Sequence, residues 1–363
     1  MNMERWRFID LGVCDSYMAQ TFYEAIALAI SRGLSRNTII FAIPDKPYVC
    51  IGYHQILEAC VDVDFCKKMN LPIIRRMFVG GGAVYLDSDQ IFYQIIADKQ
   101  SKIIPATVPE LFKKFLQVTV YVYNSLGIPA KYKPINDVVV DGRKISGNGA
   151  GSIGNAVILV GNIINDFNHE MMARILKVPS EKFRDKLIKT LKAYVSSIKN
   201  ELGYKENIDK IKALLKEGYE KLLNIKLEDD TPSKEEMKIW EKEILPVHKS
   251  KEWIFRKSKK YKKLTSTRVK IAHEIYVAEA RTKAEKLIEV IAEIHGNKIA
   301  DIIISGDFFA IPPEIITQLE HALIGTKLEE ESIRKTVSSV LKNAEIIGVS
   351  IDDIVSTIMK LKK

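Results

Sequence analysis

Two glycine-bearing segments carry the residues whose types and spacing could do chemistry. The first, RRMFVGGGAVY, places Arg76 four residues before three consecutive glycines, Gly80, Gly81 and Gly82. Backbone without Cβ atoms can bring N–H groups close to an anionic ligand, and an arginine can add charge-assisted hydrogen bonds. The segment therefore predicts either an anion site for a phosphate or carboxylate, or a simple tight bend of the chain.

The second segment, NDVVVDGRKISGNG (136–149), is predicted to form a hairpin, since Asp141 and Gly142 join two runs of β-favouring residues. Lys144 follows the turn by two residues, so a rigid strand would carry its ammonium group toward the glycine-rich backbone that follows. A lysine there can bind a phosphate as a point charge, although most strand lysines are only solvated. Residues 149–154 also match GxGxxG, but the β-branched residues after them favour a strand, not the helix of a dinucleotide site.

The elements that must position these segments can be predicted from hydrophobic periodicity. The first 165 residues have a mixed α/β pattern, whereas residues 168 to about 245 are typical of a helical layer. Residues 268–304 predict strand, helix and strand, and ISGDFFAIPPEIITQLEHALIG then leads into two closing helices. In the first part, helices are predicted at 15–31 and 108–126, and strands at 38–43, 48–53, 91–96 and 155–164.

Length and composition indicate a soluble globular protein of two domains. The chain has 363 residues, of which 47% are hydrophobic and 28% charged. It contains no apolar run near the roughly 18 residues of a membrane span and no signal-peptide pattern, so we expect a cytoplasmic protein without a membrane partner. The four cysteines and six histidines lack metal-ligand spacing, and we expect buried thiols and no structural zinc.

The positive charge of the chain is concentrated in one stretch. Residues 246–270 contain ten Lys or Arg and one Glu, a local balance of +9 that equals the formal charge of the whole chain. Such a run is either a solvated surface or a patch that steers an acidic partner. Trp253, Phe255 and Tyr261 are interleaved with the basic residues, where they could stack on nucleic-acid bases or equally dock the stretch onto a domain. A nonenzymatic nucleic-acid-binding protein is therefore an alternative. We expect no nucleic-acid partner, because the sequence contains no recognisable reader motif.

Taken together, the two glycine-bearing segments resemble the lipoate-protein ligase family of the biotin/lipoate ligase superfamily. The downstream segment ISGDFFAIPPEIITQLEHALIG is similar to the accessory domain of that family. The resemblance implies an α/β (α+β) fold, with a mixed, largely antiparallel sheet flanked by helices and a smaller α+β accessory domain. We assign residues 1–248 to the catalytic domain, 249–261 to a basic connector and 262–363 to the accessory domain.

The resemblance also implies an ATP-dependent reaction in two steps. Lipoate and ATP, with Mg²⁺, give lipoyl-AMP, and a lysine of an acceptor protein then takes the lipoyl group as an amide. The implied acceptors are E2 lipoyl domains of 2-oxoacid dehydrogenases and the glycine-cleavage H protein, which are often acidic around the target lysine. Lys144 would be catalytic, Asp137 would help to place Mg²⁺, and the nucleotide and lipoyl-AMP would contact Arg76, Gly80, Gly81, Gly82, Ala83, Val84, Asn136, Asp137 and Gly147.

The chain departs from the family pattern at three positions where the family commonly has a polar residue, namely Val79, Leu86 and Val160. The preference between lipoate, octanoate and another acid is therefore left open. The alternative activity is that of the related octanoyl or lipoyl transferases, which use no ATP and form a thioester on a cysteine. That cysteine lies near the lysine hairpin in such transferases, and residues 131–165 of this chain contain none.

Overall fold

The structure, a computed structural model, describes residues 3–266 and 275–362, which form two compact units. The first unit comprises Met1–Cys50, Asp62–Ile74 and Val84–Ser250. The second comprises Ile51–Val61, Arg75–Ala83 and Lys251–Lys363. The second unit thus joins the C-terminal part of the chain to two short segments from the N-terminal half, whereas the domain boundaries given above stay a prediction.

An eight-stranded sheet forms the centre of the first unit. The strands up to residue 230 are β1 (Glu4–Cys14), β2 (Thr38–Pro44), β3 (Tyr48–Ile51), β4 (Ile73–Arg75), β5 (Val84–Leu86), β6 (Gln90–Asp98), β7 (Lys131–Lys133), β8 (Asp137–Val140), β9 (Arg143–Ile153), β10 (Ala156–Ile164) and β11 (Ile225–Asp230). The sheet order is β11-β1-β2-β6-β10-β9-β8-β7, and β4-β3-β5 form a separate small sheet. β1 runs parallel to β11 and β2, and the other neighbours in the large sheet are antiparallel. The predicted mixed, largely antiparallel sheet is confirmed.

Helices cover both faces of the large sheet. Up to residue 249 they are α1 (Ser16–Ser31), α2 (Leu57–Cys60), α3 (Val63–Lys68), α4 (Val108–Ser125), α5 (His169–Ile175), α6 (Glu181–Tyr194), α7 (Ile198–Leu202), α8 (Ile208–Leu223), α9 (Lys234–Ile239), a π-helical turn (Trp240–Ile244) and α10 (Leu245–Lys249). α4 and α8 bury Phe112, Phe115 and Tyr219 against one face of the sheet. On the other face, Gln94 of β6 donates a hydrogen bond to the Ala19 carbonyl of α1 at 2.6 Å.

Local signals in the sequence account for several of these elements. Asp15 caps α1 by accepting from the backbone of Tyr17 at 2.9 Å, as expected where an acidic residue precedes a helical pattern. α4 ends just before Gly127, which takes a φ of +84°. The predicted helical layer after residue 168 is correct except for β11, because its residues IKLEDD extend the sheet by pairing in parallel with β1.

The second unit has its own sheet and core. After residue 250 its elements are α11 (Lys251–Ile254), α12 (Ser258–Ser266), β12 (Ile275–Lys283), β13 (Leu287–His295), β14 (Lys298–Gly306), β15 (Phe309–Ile311), α13 (Ile315–Leu323), α14 (Glu330–Val340), a 3₁₀ turn (Leu341–Asn343), β16 (Glu345–Ile347) and α15 (Ile351–Met359). β12, β13 and β14 form an antiparallel sheet, and β15 pairs with β16. Ile294, Leu319 and Ile358 belong to the core between this sheet and α13, α14 and α15.

The helix predicted in the middle of residues 268–304 is wrong, because that stretch forms β13. Its residues LIEVIAEIH place side chains alternately toward the core and toward solvent over most of their length, which is the period of a strand. A two-residue turn with Gly296 at a φ of +57° then leads into β14. The part of that prediction at residues 267–274 lies outside the described residues. Within the described ranges, no helix is long and apolar enough to cross a bilayer.

Candidate active site

The predicted lysine hairpin is formed by β8 and β9. Asp141 and Gly142 have φ angles of +47° and +79°, as a two-residue turn between twisted antiparallel strands requires. β9 then continues through the glycine-rich run as far as Ile153, so the GxGxxG match lies on a strand and its turn, as predicted. Lys144 pairs with Val139 across the hairpin, and the register shifts by one residue between this pair and the next, Val138 with Ser146. Lys144 is therefore carried on strand backbone next to a β-bulge.

The Lys144 ammonium group forms an ion pair with Asp137, with 2.6 Å between Nζ and Oδ1. The two side chains are 37% and 30% exposed, so both remain accessible to a ligand. The lysine side chain passes over Gly147, since a Cβ atom there would lie 3.6 Å from Lys144 Cε. The hairpin thus holds a cation, a carboxylate and bare backbone next to one another.

Buried amides fix the backbone beneath Lys144. The Gly147 N–H donates to Asn162 Oδ1 at 2.8 Å, and Asn162 Nδ2 donates to Gln90 Oε1 at 2.9 Å. Ser146 Oγ donates to the Asn162 carbonyl at 2.7 Å. Because Asn162 and Gln90 lie on β10 and β6, the lysine strand is locked to the centre of the sheet by side chains as well as by its ladder.

A second buried network holds Asn136, which directly precedes β8. Asn148 Nδ2 donates to the Asn136 carbonyl at 3.0 Å, and the Tyr93 hydroxyl donates to Asn148 Oδ1 at 2.5 Å. Thr119 Oγ1 in turn donates to the Tyr93 oxygen at 2.7 Å. Burial raises the pKa of Tyr93 to about 12, which keeps its phenol protonated as a donor. The network connects the start of the hairpin to α4 through the sheet.

Gly161 leaves room for this network. A Cβ atom at Gly161 would lie 2.1 Å from Asn148 Oδ1 and 2.4 Å from the Tyr93 hydroxyl oxygen, so any side chain would displace both. Sequence reasoning missed Tyr93, Asn148 and Asn162 as supports of the site. A signal was available for Asn162, which is the polar residue in the otherwise apolar strand AVILVGNII, because buried polar side chains are normally hydrogen-bonded.

The three consecutive glycines lie in the second unit, and each has a different environment. A Cβ atom on Gly80 would lie 2.2 Å from the Phe308 carbonyl oxygen, so backbone packing excludes a side chain. Gly81 has a φ of +94°, which few other residues adopt. Gly82 has neither constraint, because a Cβ atom there would meet nothing within 4 Å. Packing therefore explains Gly80 and backbone conformation explains Gly81, whereas Gly82 leaves open backbone that a ligand could approach.

The two arginines before the glycines have separate roles. Arg75 is fully buried and donates to backbone carbonyls, among them Gln55 at 2.7 Å and Ile254 at 2.8 Å. Burial, together with the nearby Arg256, lowers the pKa of Arg75 to about 10. Arg76 Nη2 donates to the Gly82 carbonyl at 2.6 Å, and its buried Nε has no acceptor among the described residues. Arg75 is thus structural, and Arg76 shapes the glycine loop while keeping one donor unused.

The predicted site residues fall into two groups. Asn136, Asp137, Lys144 and Gly147 come together on one hairpin of the first unit, and Val84 begins β5 of the same unit. Arg76, Ala83 and the three glycines before Ala83 belong to the second unit. Their joint action on one ligand stays a prediction.

Comparison with known proteins decides the family. The model of the lipoyl protein ligase A/B catalytic domain matches residues 15–220, more than half of the chain. The chain belongs to this lipoyl protein ligase family. A second model, the bacterial lipoate protein ligase C-terminus, matches residues 285–358. The resemblance drawn from the glycine-bearing segments is therefore confirmed.

Relatives within the lipoyl protein ligase family carry two kinds of name. The octanoyltransferase LipM of Geobacillus kaustophilus is 26% identical over 280 residues, which cover 71% of this chain and 100% of LipM. The lipoate-protein ligase LplJ of Bacillus subtilis is 26% identical over 303 residues, which cover 82% of this chain and 83% of LplJ. The protein is thus an enzyme of the lipoate ligase and octanoyltransferase family.

A solved structure of a lipoyl protein ligase family member supports the fold. The bi-partite lipoate protein ligase of Thermoplasma acidophilum, reported with its E2 lipoyl domain, superposes with a TM-score of 0.60 at 25% identity. The match covers 70% of this chain and 97% of that chain. The predicted fold class, including the smaller C-terminal domain, is confirmed.

Within the basic stretch at 246–270, Lys257 and Lys260 have partners in the second unit, whereas other lysines such as Lys262 and Lys263 are exposed. Lys257 is 8% exposed, and its Nζ lies 3.0 Å from Glu320 Oε1 and 2.7 Å from the Ile304 carbonyl oxygen. Lys260 pairs with Asp301 at 2.9 Å. The interpretation of Lys257 as part of a solvent-facing steering patch is therefore wrong, and Lys260 is half-buried. The end of the stretch, at 267–270, lies outside the described residues.

No group of three or more potential metal ligands occurs among residues 3–266 and 275–362. Asp137 provides one carboxylate group beside Lys144. Mg²⁺ is often bound by one or two carboxylates together with substrate phosphates, so one carboxylate in this position is compatible with a nucleotide-borne Mg²⁺. The role of Asp137 as a Mg²⁺ ligand stays a prediction.

Proposed function

We propose that the protein is an ATP-dependent lipoate-protein ligase, which activates lipoate as lipoyl-AMP and transfers the lipoyl group to a lysine of an acceptor protein. The observation that carries this proposal is the match of residues 285–358 to the bacterial lipoate protein ligase C-terminus. LipM aligns over its whole length with only 71% of this chain, whereas the alignment with the ligase LplJ takes in 82%. The chain therefore extends beyond what the octanoyltransferase has, and the extension is of the ligase type.

The environment of the cysteines also supports a ligase. A transferase that forms a thioester needs a thiolate, which arises where cationic or dipolar neighbours lower the pKa of a thiol. Burial instead raises the pKa of Cys14 and Cys60 to about 12 and that of Cys66 to about 11. The fourth cysteine, Cys50, is fully buried. A route through an acyl-adenylate requires none of these thiols.

In the proposed first step, the lipoate carboxylate attacks the α-phosphate of ATP, the bond between the α-phosphorus and the bridging oxygen breaks, and pyrophosphate leaves. Because two anions must approach each other, a fixed cation at that point lowers the barrier. Lys144 is the cation that we assign, first against the α-phosphate and then against the acyl carbonyl oxygen. Asp137 orients the ammonium group through its ion pair and would help to hold Mg²⁺ together with the phosphates.

The remaining predicted residues bind the nucleotide and the acyl group in this proposal. Gly82 offers open backbone and Arg76 has an unused buried N–H, as expected of a loop that binds an anion. Ala83 and Val84 follow the loop, and Gly80 and Gly81 give it its shape. On the hairpin, Asn136 and Gly147 complete the contacts to lipoyl-AMP.

In the second step the neutral amine of an acceptor lysine attacks the acyl carbonyl carbon of lipoyl-AMP, an amide forms with loss of a proton, and AMP leaves. We propose E2 lipoyl domains of 2-oxoacid dehydrogenases, or the glycine-cleavage H protein, as acceptors. The Thermoplasma acidophilum ligase that shares this fold is reported with its E2 lipoyl domain, which supports the first choice. An ATP-independent octanoyltransferase remains the second candidate, because LipM shares 26% of its residues with this chain.

One experiment separates the two candidates. A purified apo lipoyl domain is incubated with the protein and lipoate, with and without ATP and Mg²⁺, and its mass is measured. The ligase predicts the lipoyl mass increase only with ATP. Transfer from octanoyl or lipoyl carrier protein without ATP, and none from free lipoate with ATP, would overturn the proposal in favour of the transferase.

A further inference from the structure

α6 (Glu181–Tyr194) is a helix of 14 residues with no buried side chain. Phe183 and Tyr194 are 55% and 65% exposed, and they lie on the same side of the helix as the half-buried Leu187 and Leu191. An apolar ridge of this kind costs free energy in water unless a partner covers it. Its presence on an otherwise well-packed unit calls for an explanation.

The ridge is flanked by unpaired positive charge. Lys182, Lys186, Lys189 and Lys192 are all exposed, and none of them forms an ion pair with a described residue. Arg184 is the exception on this helix, since it pairs with Glu181 at 3.1 Å and donates to the Ala173 carbonyl at 2.7 Å. With five basic and two acidic residues, α6 has a net charge of +3. The surface therefore complements an acidic partner.

α6 is tied directly to the proposed catalytic lysine. Val195, the residue after the helix, forms a parallel bridge with Lys144, and the Ser196 N–H donates to the Lys144 carbonyl at 2.8 Å. At the other end, Arg184 fixes the helix to the end of α5. A molecule bound on α6 would thus be seated next to the strand that carries Lys144.

We propose that the exposed face of α6, defined by Lys182, Phe183, Lys186, Lys189, Lys192 and Tyr194, is the docking surface for the acceptor protein. The occupant is a folded acidic domain that presents its target lysine toward Lys144. The proposal rests on the ligase function proposed above, and it names the surface by which the protein substrate is recognised. It adds a second basic surface to the exposed part of the stretch 246–270, in which Lys257 is buried against Glu320.

Charge and position favour a protein over a lipid surface. A basic amphipathic helix can also bind an anionic membrane, which buries its apolar side. The connection of α6 to Lys144 has no use in membrane binding, whereas the transfer step requires a protein lysine to approach that residue. Steering by opposite charges raises association rates and is screened by salt, which provides a specific signature.

The test compares two variants that remove the same four charges. The docking variant is Lys182→Gln, Lys186→Gln, Lys189→Gln and Lys192→Gln, since glutamine preserves helix propensity. The matched control changes four exposed lysines elsewhere on the first unit that have no ion-pair partner among the described residues, Lys68→Gln, Lys99→Gln, Lys113→Gln and Lys242→Gln. A third variant, Phe183→Ser with Tyr194→Ser, removes the apolar anchors without changing charge.

Binding of an apo E2 lipoyl domain is measured by titration without ATP, and lipoate-dependent pyrophosphate release is measured without acceptor. We expect the docking variant to lose about tenfold in affinity at low salt and the control to lose less than about twofold, with the difference shrinking at about 0.5 M salt. The apolar variant should lose affinity at every salt concentration, and all three should release pyrophosphate normally.

Equal losses in the docking and control variants, or no loss in either, would overturn the proposal. So would a docking variant that binds the lipoyl domain normally but no longer binds vesicles containing phosphatidylserine, since α6 would then be a membrane surface. If the proposed ligase function is wrong, the unmodified protein releases no pyrophosphate. The titration with the lipoyl domain still measures whether α6 binds it, so the two proposals can be refuted separately.

Discussion

Replacing Lys144 by alanine should remove catalysis and leave the fold intact. The ion pair with Asp137 joins side chains that are 37% and 30% exposed. Such exposed pairs contribute about 0.2–1 kcal/mol to the free energy of unfolding. Since about 1 kcal/mol shifts the melting temperature by roughly 2–4 °C in domains of 150–250 residues, the variant should melt within a few degrees of the unmodified protein.

The effect on activity should be far larger. Removing one fixed donor from the point where charge develops lowers a rate by about 10²–10³-fold. We therefore expect lipoate-dependent pyrophosphate release to fall at least about 100-fold in Lys144→Ala. Lys144→Arg keeps the charge but brings a broader group over Gly147, where the lysine Cε already lies 3.6 Å from a Cβ position, so it should recover only part of the rate.

The assay measures pyrophosphate release and the thermal melt on the same protein preparations. Lys113→Ala, an exposed and unpaired lysine on α4, is the matched control and should match the unmodified protein in both measurements. Pyrophosphate release by Lys144→Ala at nearly the original rate would refute the catalytic assignment. A loss of activity accompanied by a large fall in melting temperature would instead show that Lys144 has a structural role.

Three further predictions follow from close packing and buried charge. Gly82→Ala should leave the melting temperature unchanged and weaken ATP binding in a titration, whereas Gly80→Ala should lower the melting temperature. If the two variants lost the same amount of stability, or if Gly82→Ala bound ATP normally, the assignment of Gly82 to ligand contact would be contradicted. Gly161→Ala should lower the free energy of unfolding in urea by about 2–3 kcal/mol, because it displaces two buried polar groups, and a neutral result would refute that packing argument. Lys257→Met should lower the free energy of unfolding in urea by about 3–5 kcal/mol, because Glu320 is then buried without its cation, and adding Glu320→Leu should restore most of that loss. If the losses of the two single variants simply added in the double variant, the two residues would not be an energetically coupled pair.

Local signals predicted the parts of the structure that depend on neighbouring residues. The Asp141-Gly142 turn is determined by backbone geometry within a few positions, and its prediction was correct. The helices predicted at 15–31 and 108–126 match α1 and α4 to within one residue at each end. The choice between helix and strand failed at β13, where short apolar runs satisfy both periods over a few residues. The outcome there was decided by pairing with β12 and β14, which no local window contains.

Long-range contacts could not be predicted either, because they join residues that are far apart in the sequence. Tyr93, Asn148 and Gly161 meet because of the strand order β6-β10-β9, so their network could not be derived before the sheet was known. The charge count at 246–270 was correct as a count, yet it could not reveal that Lys257 finds Glu320, 63 residues later, inside the second unit. Hydrophobic pattern and turn chemistry thus located the hairpin, and its supporting residues required the fold.

The glycine loop owes its shape to residues more than 170 positions further along the chain. The Gly80 backbone lies against Phe308, and Arg75 is held by the carbonyls of Trp253 and Ile254. A chain truncated at residue 250 would therefore lose more than an appended domain, since the loop next to Arg76 would be left without the surface that moulds it. Any engineering that transplants or divides this enzyme should keep residues 51–61, 75–83 and 251–363 together as one folding piece.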